Sequence, residues 1–160
     1  MTAVSTAPHF PLAGESAPDL TLPSTAGEKV TLSSFRGKQH VLLAFFPLAF
    51  TSTCTAELCD FSNDFDQFTG KDVTVLGVSV DSGATLREFR AKYQMKVHLL
   101  SDFKREVVAP WGLLIADKFY SKRAYVLIDK TGTVRWSLVE EHNGLKRDNG
   151  QLLQQIAQLG

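Results

Sequence analysis

Cysteine is scarce in this chain, and neither sign of charge is in excess. Two cysteines in 160 residues cannot form a disulfide scaffold, and with four scattered histidines they lack the spacing of a zinc site. Seventeen basic residues balance seventeen acidic ones, which argues against a nucleic-acid surface or a polybasic membrane patch. The longest apolar run, residues 41–50, is about half of what a membrane span needs. We therefore expect no metal, no cofactor, no nucleic-acid partner and no membrane partner.

The start of the chain also lacks the basic and apolar regions of a signal peptide. We expect residues 1–14 to be a flexible lead-in to a cytoplasmic protein. The length suits one domain with its own core, and no repeat, low-complexity tract or linker divides the sequence. A single domain over residues 1–160 is the prediction.

Apolar patterning predicts an α/β fold. Residues 41–46 and 73–80 have the composition of buried strands, and the segment between them predicts a helix over 52–69. This strand–helix–strand unit makes the two strands parallel. The remaining pattern predicts hairpins over 17–32 and 123–139, a short strand over 97–100, and helices over 84–93 and 104–109. A last helix is expected to start at an N-cap, for which Asp148 and Asn149 are the candidates. The expected architecture is a mixed central sheet with helices on both faces.

Cys54 lies where the first central strand passes into the helix. The unpaired N–H groups and the positive end of the helix dipole favour a thiolate at that point. Reactive groups in such sheets also cluster beyond the carboxyl ends of parallel strands. An arbitrary cysteine is more often a small buried hydrophobe, but this position predicts redox or nucleophilic chemistry.

The residues around Cys54 resemble those of a known family. Pro47, Thr51 and Cys54 match the P-x-x-x-T-x-x-C signature of peroxiredoxins, which are thiol peroxidases with a thioredoxin-like fold. The similarity covers residues 15–158, and the stretches 41–51, 57–58, 99–103 and 123–132 look like the AhpE-type branch. The resemblance implies a thioredoxin-like mixed sheet flanked by helices, with an N-terminal β-hairpin. It also implies reduction of hydrogen peroxide and organic hydroperoxides.

The resemblance gives each motif residue a role. Cys54 would be the peroxidatic cysteine, which attacks a peroxide oxygen and becomes a sulfenic acid. Arg123 would favour the thiolate, and Thr51 would hydrogen-bond both the thiolate and the peroxide. Pro47 would shield the thiolate from water, and Glu57 would connect to the arginine. Taken alone, Thr51 could be a helix cap, Arg123 a surface charge and Glu57 a first-turn acid.

Cys59 is the candidate resolving cysteine. Its position five residues after Cys54 matches the spacing seen in the bacterioferritin-comigratory type of peroxiredoxin. Cα atoms five residues apart in an ideal helix are separated by about 8.6 Å, beyond the roughly 7 Å limit of a disulfide. An intramolecular Cys54–Cys59 disulfide therefore requires the first helical turns to unwind, which the Ser/Thr-rich residues 51–55 favour. In the alternative, Cys59 is a core residue and an external thiol reduces Cys54 directly.

Other functions and partners stay open at this point. A redox sensor without high turnover would need the same reactive cysteine, whereas a thioredoxin-like disulfide oxidoreductase would carry Cys-x-x-Cys instead of Cys-x4-Cys. The reductant could be thioredoxin, glutaredoxin or a low-molecular-weight thiol. Residues 109–112 depart from the Tyr-Gly that the family more often carries there, so we expect either a monomer or a homodimer.

Overall fold

Nine strands form one large and two small sheets in a computed structural model that describes residues 7–159. The strands are β1 (Thr21–Pro23), β2 (Lys29–Thr31), β3 (His40–Phe45), β4 (Val73–Ser79), β5 (His98–Ser101), β6 (Leu114–Ile115), β7 (Tyr120–Ser121), β8 (Ala124–Ile128) and β9 (Val134–Val139). The central sheet has the order β5-β4-β3-β8-β9. Its strands β3, β4 and β5 are parallel, while β8 and β9 are antiparallel to their neighbours. The predicted mixed sheet is confirmed.

Within residues 7–159 four α-helices accompany the sheet: α1 (Ser52–Asn63), α2 (Phe65–Thr69), α3 (Gly83–Lys92) and α4 (Asn149–Ala157). The single helix predicted over 52–69 is two helices, because the backbone leaves helical geometry at Asp64, which ends α1 and precedes α2. The last helix begins as predicted. Asp148 caps it, and Gln151 completes a capping box by bonding back to the Asp148 backbone.

Side chains of β3, and of Phe46 directly after it, alternate between two cores. Those at positions 42, 44 and 46 face a core that all four α-helices cover. Those at 41, 43 and 45 face the β1–β2 hairpin, a single 3-10 turn (Leu32–Phe35) and residues 107–113. Helices on both faces were expected, but within residues 7–159 the second face carries that 3-10 turn as its only helical element.

The helix predicted over 104–109 is wrong. The buried carboxylate of Asp102 accepts hydrogen bonds from the backbone N–H groups of Val107 and Val108, at 3.0 and 2.8 Å. Arg105 has a φ of 59°, which no α-helix allows. The segment instead forms consecutive turns that carry Val107 and Val108 into the core. The small β6–β7 pair that follows had no signal in the sequence.

From His9 onward, the amino-terminal segment lies against the rest of the fold. His9 donates its backbone N–H to Pro110 O, and Gly14 donates to Val134 O, each at 2.8 Å. The first six residues of the predicted flexible lead-in lie outside the described residues, and the single-domain assignment stays a prediction. Within residues 7–159 no helix has the length and apolar character to cross a bilayer. The same residues contain no group of three or more Asp, Glu, His or Cys side chains that could hold a metal ion.

Candidate active site

Cys54 occupies the third position of α1, just beyond the carboxyl end of β3. Thr51 stands at the N-cap, and its carbonyl accepts the first helical hydrogen bond, from Thr55 N at 2.9 Å. The N–H groups of the first helical turn point toward the start of the helix, with the positive end of its dipole. The thiol therefore lies where a negative charge is stabilised.

The turn that leads into α1 is fixed from a neighbouring strand. Asp81, just after β4, accepts hydrogen bonds from Ala49 N at 2.8 Å and from Ser79 Oγ at 2.7 Å. Phe50 takes a φ of 66°, which is strained for a residue with a side chain. The Asp81 carboxylate thus stabilises a turn that sets where Thr51 and the helix begin.

Arg123 reaches Cys54 from β8, the strand that pairs with β3 on the edge opposite β4. It directly precedes β8, whose Ala124 lies opposite Phe45, so the start of β8 meets the carboxyl end of β3. Its Nη2 donates to Cys54 Sγ at 3.0 Å, and its Nη1 donates to Glu57 Oε1 at 2.7 Å. The structure therefore brings together three side chains that the sequence singled out.

All three side chains are buried, which makes their charges interdependent. Burial alone would lower the pKa of Arg123, but the charges of Glu57 and Cys54 outweigh burial and raise it. Burial raises the pKa of Glu57, opposed mainly by the charge of Arg123. The guanidinium keeps its proton, because its pKa is far above neutral even in water. A fixed positive charge consequently lies against the sulfur.

A cleft of about 160 Å³ leads to Cys54 and Arg123. Its lining combines four predicted site residues, Pro47, Thr51, Cys54 and Arg123, with five others that were not predicted: Leu48, Ser52, Thr53, Tyr120 and Asn143. Pro47 is buried, whereas Thr51 is exposed at the mouth. The Thr51 hydroxyl donates to Leu48 O at 2.8 Å and does not cap the helix, so its lone pairs are available to accept a hydrogen bond.

Comparison with known proteins agrees with this geometry. Residues 13–137 match the model of the AhpC/TSA family. A Mycobacterium tuberculosis protein whose name places it among the peroxiredoxins is 36% identical over 121 residues, which are 76% of each chain. The chain belongs to the AhpC/TSA family of peroxiredoxins. It is accordingly a thiol-dependent peroxidase, and its assignment to the AhpE-type branch stays a prediction.

Two solved structures confirm the peroxiredoxin fold. The reduced 2-Cys peroxiredoxin of Plasmodium vivax superposes with a TM-score of 0.85 at 32% identity, covering 92% of this chain and 81% of its own. The peroxidoxin BcpB of Mycobacterium tuberculosis gives a TM-score of 0.80 at 25% identity, covering 94% of this chain and 97% of its own. The thioredoxin-like sheet expected from the resemblance is thereby confirmed.

Cys59 of this peroxiredoxin lies apart from the cleft. Both cysteines are free thiols within an unbroken α1, and Cys59 opens into a second cleft, of about 310 Å³, beside Tyr93 and Lys96. Burial and then the charge of Asp60 raise the pKa of Cys59. While α1 is intact, Cys59 is therefore a protonated and weak nucleophile that does not face Cys54.

Two residues that hold Arg123 and Glu57 were missed in the sequence. Tyr125 donates its hydroxyl to Glu57 Oε2 at 2.6 Å. Asn143 accepts from Arg123 Nη2 through its backbone oxygen at 3.2 Å, and from the Arg123 backbone N–H through Oδ1 at 3.3 Å. Strand alternation puts Tyr125 on the same face as Arg123, two residues away, and this signal was available. Asn143 lies in a loop without a periodic pattern, so no such signal existed for it.

Proposed function

We propose that this peroxiredoxin reduces hydrogen peroxide and organic hydroperoxides with Cys54 as its peroxidatic residue. The 3.0 Å contact between Arg123 Nη2 and Cys54 Sγ, at the end of an open cleft, carries the proposal. The Cys54 thiolate attacks one peroxide oxygen, and an S–O bond forms as the O–O bond breaks. Cys54 is oxidised to the sulfenic acid, while the leaving oxygen takes a proton and departs as water or an alcohol.

The other side chains of the cleft support this step. The Arg123 guanidinium stabilises the thiolate and then the negative charge that develops on the leaving oxygen. The Thr51 hydroxyl, already donating to Leu48 O, can accept a hydrogen bond from the O–H group of a bound hydroperoxide and so orient it. Pro47 lacks an N–H and presents an apolar wall that keeps water from the thiolate. Glu57 acts through Arg123, which it holds at 2.7 Å.

Resolution of the sulfenic acid completes the cycle in our proposal. The Cys59 thiolate attacks the Cys54 sulfur, an S–S bond forms as the S–O bond breaks, and the leaving hydroxide takes a proton and departs as water. Because ideal helix geometry separates the two Cα atoms by about 8.6 Å, the start of α1 must unwind first. Unwinding also releases Cys59 from the burial that raises its pKa. An external dithiol or two thiols then reduce the disulfide by exchange.

The unbroken α1 favours one alternative. If α1 does not unwind after oxidation, Cys59 stays in its separate cleft and an external thiol must reduce the Cys54 sulfenic acid directly. A redox sensor that passes its oxidation to a partner protein would share the first step but would not turn over rapidly. Our proposal includes three further parts. The reductant is thioredoxin, glutaredoxin or a low-molecular-weight thiol, the protein is cytoplasmic, and it is a monomer or a homodimer.

Peroxide consumption with each of these three reductants tests the proposal in wild type, Cys54→Ser and Cys59→Ser. We expect no turnover from Cys54→Ser. After peroxide without reductant, mass spectrometry should find the wild-type monomer lighter by two hydrogen atoms and Cys59→Ser stalled at the sulfenic acid. Consumption by Cys54→Ser at the wild-type rate would overturn the mechanism. Sulfenic acid without disulfide in the wild type would establish the one-cysteine cycle instead.

A further inference from the structure

Tyr125 is a buried side chain to which the proposed chemistry gives no role. It lies on β8 two residues after Arg123, so the two side chains project from the same face of the sheet. No part of Tyr125 is exposed. Its ring stacks on Trp136 of β9 with a centroid distance of 6.1 Å, and its cross-strand neighbour on β3 is the small Ala44. The fold therefore holds the ring, and with it the hydroxyl, in one place.

The hydroxyl group of Tyr125 both donates and accepts a hydrogen bond. It donates to Glu57 Oε2 at 2.6 Å and accepts from Arg147 N at 2.9 Å. The other Glu57 oxygen accepts from Arg123 Nη1. Each oxygen of this buried carboxylate thus has its own donor, and a continuous series of contacts runs from Tyr125 through Glu57 and Arg123 to Cys54.

We propose that Tyr125 is a positioning residue for the peroxide step, an inference that rests on the proposed function. Its hydroxyl fixes the rotation of the Glu57 carboxylate, and the carboxylate holds the planar Arg123 guanidinium against Cys54 Sγ. A carboxylate with only one anchored oxygen is free to turn about its last side-chain bond. The guanidinium, whose donors form a rigid fork, would then lose its alignment with the sulfur and with the peroxide.

Two further observations support a positioning role. Burial, and then the charge of Glu57, raise the pKa of Tyr125, so the phenol keeps the proton that it donates. The donor to its oxygen, Arg147 N, belongs to the loop whose Asn143 also accepts from Arg123 Nη2. The hydroxyl therefore connects the carboxylate on α1 to the loop that holds the opposite side of the guanidinium.

Tyr125→Phe tests the inference, because it removes one oxygen and keeps the ring that packs on Trp136. We expect the rate of Cys54 oxidation by hydrogen peroxide to fall about tenfold, the effect of one lost hydrogen bond. The rate of Cys54 alkylation by iodoacetamide at alkaline pH, which needs a thiolate but no aligned guanidinium, should change less than about twofold. A merely structural role would lower the melting temperature without changing the ratio of the two rates. The matched control is Tyr93→Phe, the same change at an exposed tyrosine that follows α3.

A double-mutant cycle with Glu57→Gln shows whether Tyr125 acts through Glu57. If it does, Tyr125→Phe will lower the peroxide rate much less in the Glu57→Gln background than in wild type. An equal loss in both backgrounds would overturn the inference, because Tyr125 would then act by another route.

The outcomes separate this inference from the function on which it rests. A wild-type Cys54 that does not react with peroxide overturns the proposed function and this inference with it. A reactive wild type whose Tyr125→Phe variant keeps the ratio of peroxide to alkylation rates overturns the inference alone. Should Tyr125→Phe fail to fold, NMR of the unmutated chain decides. The Tyr125 hydroxyl proton is expected to exchange slowly and to shift when Cys54 is oxidised, and an unchanged signal overturns the inference.

Discussion

At the scale of single residues, Arg123 is a charged side chain that the fold buries and must therefore supply with partners. It is charged and no part of it is exposed. A buried charge left without its partner costs about 3–5 kcal/mol, and Glu57 supplies that partner. The same guanidinium contacts Cys54 and Asn143, so one side chain meets a structural and a chemical requirement together.

Arg123→Lys separates the charge of this residue from its shape. A lysine keeps the positive charge, but its single ammonium cannot contact Cys54 and Glu57 in the planar arrangement of a guanidinium. We expect the second-order rate of Cys54 oxidation by hydrogen peroxide to fall about 100-fold, the range found for loss of one preorganised donor. Stopped-flow tryptophan fluorescence measures it. The control is Arg135→Lys on the exposed side of β9, and a loss of less than about threefold at Arg123 would contradict the expectation.

Thr51 offers a test of the hydroxyl at the mouth of the cleft. Thr51→Val keeps the shape of the side chain and removes the group that bonds Leu48 O and would accept from the peroxide. The peroxide rate should fall about tenfold or more, whereas Thr51→Ser should stay within about threefold of wild type. The same stopped-flow assay compares the two variants. If valine and serine behaved alike, the hydroxyl would have no part in the reaction.

The motif residues could be predicted from the sequence because each is tied to a local signal or to the family pattern. Cys54 and Thr51 follow a buried strand at a helix start, and Arg123 stands at a strand start downstream. The 3.0 Å contact between Arg123 and Cys54 depends on the antiparallel pairing of β3 with β8, which no local pattern reveals. Tyr125 shared a strand face with Arg123 and was overlooked, whereas Asn143 depends on the path of a loop.

At the scale of elements, α1 carries both cysteines, and the residues of its first turn are poor helix formers. Residues 51–55 are all Ser or Thr apart from Cys54, and the side chain of Thr51 forms no cap. Threonine is disfavoured relative to alanine in helices by about 0.6 kcal/mol. The sequence of α1 therefore lowers the free-energy cost of unwinding its first turns.

Thr55→Ala should slow resolution without affecting peroxide attack. Stabilising the folded start of α1 by about 0.6 kcal/mol lowers the population of the unwound form about threefold. We expect disulfide formation to slow by that factor after the sulfenic acid has formed, as followed by quenched-flow mass spectrometry. Asn63→Ala, at the last position of α1 beyond Cys59, is the matched control. Equal slowing in both variants would mean that unwinding is not confined to the segment between the cysteines.

Element boundaries show where local patterns fail. The strands β3, β4, β8 and β9 were predicted within a few residues because their apolar runs are long. Residues 104–109 have the composition of a helix, but the Asp102 carboxylate takes the N–H groups of Val107 and Val108 and holds the segment as turns. That competition comes from a buried carboxylate, and its burial depends on the whole fold.

At the scale of the whole molecule, the turn between β8 and β9 joins distant parts of the chain. Lys130 O accepts from Gly37 N at 2.8 Å, and Gly132 O accepts from Ala17 N at 2.9 Å, so the amino-terminal segment is fastened to the central sheet here. The Asp129 carboxylate holds the turn through bonds from Thr131 and Thr133. Loss of this one carboxylate should therefore weaken the cohesion of the entire fold.

Asp129→Asn tests that cohesion through the pH dependence of stability. Burial alone would raise the pKa of Asp129, but hydrogen bonds from Thr131 and Thr133 outweigh burial and lower it. A carboxyl whose folded pKa is below its unfolded value of about 3.9 stabilises the fold above that pH and loses this effect as the pH falls through the folded value. Urea unfolding at pH 7 should show the variant about 1 kcal/mol less stable than wild type, and the difference should shrink below about pH 4. The control is the exposed Asp117→Asn, and a difference at Asp129 that is the same at all pH values would show that its charge does not hold the turn.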